Sequence, residues 1–227
     1  MTDAVASDQY VPPFSIVETE EAAREYVATL ADKPAIERLN VLEHLVLEEN
    51  TRQNLISKGS QGHIWQRHIA DSAQLLEHVP RGTSSPFWLD LGTGAGFPGL
   101  VIAALRPEWP VRLVESRTRR VEFLRRCLVE LGLESCEVLG DRLEQIPPFQ
   151  AKIISARAFA PLSKLLSLSA AFSTPQTCYI LPKGRGAAHE LKALPLRERV
   201  LFHVKQSRTD AEAGILVRSF AAREGAA

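Results

Sequence analysis

Phe87-Trp88-Leu89-Asp90-Leu91-Gly92-Thr93-Gly94-Ala95-Gly96-Phe97-Pro98-Gly99 constrains the fold of this chain more than any other stretch. Its apolar start suits a buried strand, and its glycines permit a tight turn and a close approach of backbone to a ligand. The apolar run Leu100-Val101-Ile102-Ala103-Ala104-Leu105 that follows reads as a helix. Strand, glycine turn and helix in that order open an α/β sheet, whose ligands bind at the carboxyl ends of its strands.

The spacing of Gly94, Gly96 and Gly99 also fits the G-x-G-x-x-G of dinucleotide sites. Asp90 argues against that ligand, because a carboxylate fixed at the strand end repels a pyrophosphate and favours a positively charged group. S-adenosylmethionine carries an ammonium and a sulfonium and no phosphate. The run from Asp90 through Gly92 and Gly94 to Gly96 has the D-x-G-x-G-x-G form of methyltransferases that use it. Arg112-Leu113-Val114-Glu115 reads as the second strand, and Glu115 sits where doubly wound folds place the carboxylate that accepts ribose hydroxyls. Asp90, Gly92, Gly94, Gly96 and Glu115 are thus the cofactor-binding candidates.

The 227 residues suffice for one substantial core with an appendage. Residues 1–15 read as a loose tail, 16–79 as a helical appendage, 80–221 as the α/β domain and 222–227 as a second tail. Helical spacing predicts helices over 17–30, 35–49 and 63–79, the first two parted by Asp32-Lys33-Pro34, a cap followed by a proline suited to a first turn. Beyond Glu115, the stripe Val121, Leu124, Leu128 and Leu131 marks a helix, and 162–172 another. Strands are expected at 136–139, 152–155 and 176–181, with 199–205 and 214–220 closing as a hairpin. The sum is a seven-stranded, mostly parallel Rossmann-like α/β sheet with one antiparallel strand.

Lysines and arginines number 27, as do aspartates and glutamates, for a formal charge of +0. That balance opposes general electrostatic gripping of nucleic acid and makes any such contact local. Cys127, Cys136 and Cys178 lie far apart, which fits buried filler better than a disulfide framework or a zinc site, and no metal is expected. No apolar run approaches the roughly 18 residues that span a bilayer. A cytoplasmic monomer without membrane contact is expected.

Several further motifs accompany the glycine turn: Asn54-Leu55-Ile56-Ser57, Arg67-His68-Ile69-Ala70-Asp71-Ser72, Arg119-Arg120-Val121-Glu122-Phe123-Leu124-Arg125, Arg142-Leu143-Glu144 and Ser155-Ala156-Arg157-Ala158-Phe159. Together they resemble the RsmG (GidB) family, class I methyltransferases that modify guanine N7 in bacterial small-subunit (16S) ribosomal RNA. The likeness covers roughly residues 41–185. It departs at Gln53, where the family often has tyrosine. The resemblance implies that Gly92 and Phe97 line the methionine and adenosine side of the cofactor, that Leu143 and Glu144 flank its adenine, and that Arg157 stands beside the methyl group.

Guanine N7 has a lone pair and no proton, so its methylation needs no general base. Ser155-Ala156-Arg157-Ala158 replaces the Asn/Asp-Pro-Pro-Tyr/Phe of amino-group methylation, and no Pro-Cys pair supplies a thiolate. Arg157 is the catalytic candidate, as a positioning group for guanine or phosphate. Its charge opposes the positive charge that N7 acquires unless an anion compensates. Arg67, His68, Lys183 and Arg185 are the candidate RNA contacts, with Trp65 and Phe97 as possible stacking partners for a base. Ribosomal RNA or the ribosomal particle is the expected partner. A methyltransferase of another small-molecule or protein substrate and a catalytically silent ribosome-assembly module are the alternatives.

Overall fold

The computed structural model describes residues 15–218. The two tails, except Ser15, and the expected strand end at 219–220 lie outside them. Seven strands form one sheet in the order β3-β2-β1-β4-β5-β7-β6. β1 (Trp88–Leu91), β2 (Val111–Val114), β3 (Cys136–Leu139), β4 (Ile153–Ala156) and β5 (Cys178–Gly184) pair in parallel. β7 (Gly214–Arg218) runs antiparallel to both β5 and β6 (His203–Gln206), so it is the one reversed strand.

Alternation along the central strands sorts side chains onto two faces. Trp88 and Ile153 enter one apolar cluster, Leu89, Leu91, Ile154 and Ala156 the other. The first cluster also takes up α4 (Gly99–Leu105), every residue of which is buried, and the apolar side of α5 (Thr118–Glu130). It continues without a break into the amino-terminal helices α1 (Glu20–Ala28) and α2 (Lys33–Glu49) through Val27, Leu39, Leu42 and Val46. Thr19 and Asp32 cap these helices by accepting the N–H groups of Ala22 and Ala35. α6 (Leu162–Ser169) lies on the other face. Among the described residues, no helix is long and apolar enough to cross a membrane.

Three elements differ from the sequence expectation. The helix predicted over 63–79 is broken into a 3-10 turn Lys58–His63, a π-helical turn Trp65–Ala70, the short α3 (Asp71–Ala73) and a 3-10 turn Gln74–His78. There the Glu20 carboxylate accepts the N–H groups of Trp65 and Gln66, donors that open the wide turn. β5 runs on to Gly184 because β7 pairs alongside it, with an irregularity after Pro182, which has no N–H to give the ladder. Finally, two short helices, α7 (Ala187–Lys192) and α8 (Leu196–Arg199), fill the stretch before β6 and shift that strand towards the carboxyl end. Cys127, Cys136 and Cys178 are buried and unpaired, and burial pushes each thiol up to about 12.

Candidate active site

Two clefts open side by side along the carboxyl edge of the parallel strands. The smaller, about 410 Å³, is walled by Gly92 after β1, Glu115 after β2 and Leu143 and Glu144 after β3. The larger, about 790 Å³, is walled by Arg67, Asp71 and Arg157, by Pro182 and Lys183 at the end of β5, and by Thr209 and Asp210 in the turn between β6 and β7. Ala158, Phe159 and Ala160 line both. Ala158 holds a left-handed backbone (φ 53°) at this partition. A side chain seldom accepts that conformation outside functional turns.

The glycine turn is built as a packed support. Gly92, Gly94 and Gly96 have positive φ (64°, 61° and 96°). A Cβ on Gly92 would lie 2.5 Å from the Phe159 ring, so this glycine leaves room for the partition itself. Asp90 does not reach either cleft. Its register partner on β4 is Ser155, on the same face. Asp90 is fully buried, its Oδ1 accepts Ser155 Oγ (2.6 Å), and its Oδ2 accepts the Gly99 N–H (3.0 Å) at the start of α4. Trp88 Nε1 donates to Ser155 Oγ (2.8 Å), completing the network. Burial lifts the Asp90 carboxyl to about 6, against the hydrogen bonds that hold it down. Gly94, Gly96 and Phe97 likewise stand outside the walls of both clefts.

Glu115, just past the end of β2, lines the smaller cleft. Its Oε1 accepts the Arg117 N–H (2.9 Å) and its Oε2 stands 3.7 Å from Arg120, while the carboxylate faces the smaller cleft. Leu143 presents a buried apolar side chain beside it and Glu144 an exposed one. An acid for hydroxyls, an apolar wall for a purine and a glycine turn fit the adenosine half of S-adenosylmethionine.

Arg157 follows β4 and is clamped from the appendage. One terminal nitrogen donates to the Arg67 carbonyl (3.2 Å) and to Asp71 Oδ2 (3.1 Å), and the other meets His68 Nδ1 (3.0 Å). The guanidinium lies 5.3 Å from the centre of the Phe97 ring, on which His68 stacks at 5.0 Å. An arginine can only donate, so His68 Nδ1 accepts and its proton sits on Nε2, which donates to Ser60 Oγ (3.0 Å). Burial, then the charges of Arg157 and Arg67, push the His68 pKa down to about 3. The folded protein holds this ring neutral while an unfolded chain protonates it near 6.5. The resulting stabilisation is complete above pH 6.5 and is lost as pH falls towards 3. Chemical denaturation at pH 7 and pH 4.5 is expected to show a smaller acid loss for His68→Gln than for the unaltered chain. Equal losses would mean that folding does not change how tightly His68 holds its proton.

Several expected RNA contacts are engaged elsewhere. His68 has both ring nitrogens committed. Lys183 belongs to β5, its side chain is 7% exposed, and it donates to Glu190 (2.9 Å) and the Ala160 carbonyl (2.9 Å). Arg185 pairs with Glu212 at the surface (2.7 Å). Trp65 is fully buried and donates to Glu43 (2.7 Å), and Phe97 is sealed between His68 and Arg157, so neither ring is free to stack on a base. Arg67 alone among these keeps an exposed side chain with no hydrogen bond or ion pair among the described residues.

Sequence reasoning gave no role to Thr209, Asp210, Glu190 or Phe159, and read Asp71, with Arg67 and His68, only as a brace of the appendage against the cofactor mouth or a contact to RNA. Asp71 Oδ1 accepts Thr209 Oγ1 (2.8 Å) and Gln74 Nε2 (3.0 Å), tying the Arg157 clamp to the β6–β7 turn. Glu190 accepts the Leu162 N–H (2.8 Å) as well as Lys183. Only the spacing within Arg67-His68-Ile69-Ala70-Asp71 hinted at this clamp.

A doubly wound sheet with a glycine turn after its first strand and clefts along its carboxyl edge is the architecture of class I methyltransferases, which use S-adenosylmethionine. Within that class, the chain belongs to the GidB family, rRNA small subunit methyltransferase G, whose model matches residues 35–215. It is 57% identical over 202 residues to Ribosomal RNA small subunit methyltransferase G of Erythrobacter litoralis, covering 89% of this chain and 97% of that protein. The protein of the same name from Novosphingobium aromaticivorans is 55% identical, covering 82% and 81%. In fold, the chain is similar to a SAM-dependent methyltransferase from Aquifex aeolicus, with a TM-score of 0.52, 16% identity and coverage of 70% of this chain and 93% of that one.

Proposed function

We propose that this chain transfers a methyl group from S-adenosylmethionine to N7 of a guanine in 16S ribosomal RNA of the small subunit, in the cytoplasm where ribosomes are made. The family supports the donor and the RNA. The observation that carries the chemistry is the Arg157–Asp71 ion pair at the wall of the larger cleft.

Bound in the smaller cleft, S-adenosylmethionine supplies a methyl group on a sulfonium. Glu115 would accept from the ribose hydroxyls, with Leu143 against the adenine. On the other side of the partition, Pro182 and Ile215 give the larger cleft apolar surface for a base. Held there, N7 needs alignment and no proton acceptor, and alignment alone can supply roughly 7–11 kcal/mol of the barrier. His68, behind Arg157, is neutral with both ring nitrogens bonded, so it is no general base in this arrangement.

Asp71 resolves the difficulty of placing an arginine beside a nitrogen that becomes cationic. Paired at 3.1 Å, Arg157 and Asp71 present no net charge, while the guanidinium remains a rigid donor. The pair thus orients the acceptor without opposing the charge it gains.

The test is transfer from labelled S-adenosylmethionine to small subunits lacking the modification, with the product mapped by chemical cleavage at N7-methylguanine. One labelled guanine is the expected result; label on another base or on protein would overturn the reading. Separately, Glu115→Ala is expected to weaken S-adenosylmethionine binding by about 1.5–3 kcal/mol in titration calorimetry, the size of a hydrogen bond to a charged group. Unchanged affinity would remove the ribose from the end of β2.

A further inference from the structure

We infer that Asp210 reads the acceptor base, its carboxylate taking the N1–H and N2–H of guanine in the larger cleft. The inference rests on the guanine reading above and says which side chain selects it.

Of the three carboxylates lining the larger cleft, Asp71 has both oxygens engaged, by Arg157 on one and by Thr209 and Gln74 on the other. Glu190 accepts both Lys183 and the Leu162 N–H on Oε2, so its charge is matched by the Lys183 ammonium even though Oε1 has no hydrogen bond among the described residues. Ser207 and Thr209 satisfy each other and Asp71 within the β6–β7 turn. Asp210 differs: it alone of the three has no cationic partner among the described residues, its Oδ1 accepts only the Glu212 N–H (2.9 Å), and its Oδ2 has no hydrogen bond there. It lines the larger cleft and not the smaller one.

A cleft in which one carboxylate carries its charge without a cationic partner selects a ligand that donates. Guanine offers adjacent N–H donors on its Watson–Crick edge, where adenine offers a bare N1 acceptor that a carboxylate repels. The edge bearing N7 is left free for reaction, because it lies on the opposite side of the purine. The uncommitted cation of the same cleft, Arg67, suits the phosphate of the same nucleotide.

The experiment compares small subunits reconstituted on RNA carrying either guanine or inosine, which lacks the N2 amino group, at the mapped position. The unaltered protein is expected to methylate guanine more than about 10-fold faster, measured as kcat/KM, the size of one charged hydrogen bond. Asp210→Asn keeps an oxygen for the Glu212 N–H but turns an amide donor towards the base. It is expected to lose more than about 10-fold on guanine and to bring the two bases within about threefold of each other. Asp210→Ala is expected to level them as well, and the melting temperature and S-adenosylmethionine affinity of both variants show that the fold is kept. Transfer by either folded variant with the original preference intact overturns the role of Asp210 alone. Failure of the unaltered protein to methylate guanine on small subunits overturns the acceptor reading, and this assignment with it.

Discussion

Replacing Arg157 with alanine is expected to lower kcat for methyl transfer about 100- to 1,000-fold, the usual cost of removing one preorganised donor from an active site. S-adenosylmethionine affinity should change little, because Arg157 lines the larger cleft and not the smaller one. The residue is held by Asp71, by the Arg67 carbonyl and by His68, so its position is set before any acceptor arrives. Its loss also strands Asp71, a carboxylate with only 20% of its side chain exposed, and removes the partner that fixes the His68 tautomer. Lysine should not restore activity. One ammonium cannot reproduce a planar fork that meets a carbonyl, a carboxylate and an imidazole together. Single-turnover transfer beside titration calorimetry separates the two quantities. A fall in kcat under about 10-fold would remove Arg157 from the reacting side of the cleft.

Gly99→Ala is expected to destabilise the fold by about 3 kcal/mol or more, at the upper end of what overpacking a core costs. An added Cβ would overlap the Leu113 side chain and stand 2.8 Å from Asp90 Oδ2 and 3.0 Å from Asp90 Cβ. All three neighbours are buried, so none can move aside into solvent. The displaced group would be the carboxylate that accepts the Gly99 N–H, and a buried carboxylate that loses a donor adds its own penalty. At this chain length, 3 kcal/mol corresponds to a melting temperature lower by roughly 6–12 °C. Gly62→Ala is the control: nothing lies within 4 Å of its Cβ, and a change within about 0.5 kcal/mol is expected in the same thermal melt. Equal effects at the two positions would mean that the Asp90 network does not brace the turn.

The glycine turn was legible because its constraint is local. Consecutive residues must leave a buried strand, pass through left-handed backbone and enter a helix, and few residue types permit that. The same holds for the strands up to β5 and for α5, whose periodicities reflect which face meets a core a few residues away. Glu115 was legible for a related reason, since the end of the second strand always faces the same edge of a doubly wound sheet.

Asp90 shows where the local argument stops. Its place at a strand end suggested a charge offered to ligand, but alternation turns it onto the face beneath α4, where Ser155 of β4 and Gly99 claim its oxygens. Lys183 read as a free basic edge until α7 brought Glu190 against it. The breaks in the segment from Lys58 to His78 answer to Glu20, far away in sequence.

From its own residues, then, the chain determined its class of sheet, its glycine turn and, through the motifs it shares with a family, its chemistry. Tertiary structure alone decided which charged groups are spent on one another and which remain for substrate. Asp71 meets Arg157 and Thr209 only after elements distant in sequence have packed together, and Glu190 meets Lys183 only once α7 folds back beside the end of β5. A charge has no periodicity to announce its partner. Its availability follows from what the folded chain places within about 3 Å of it.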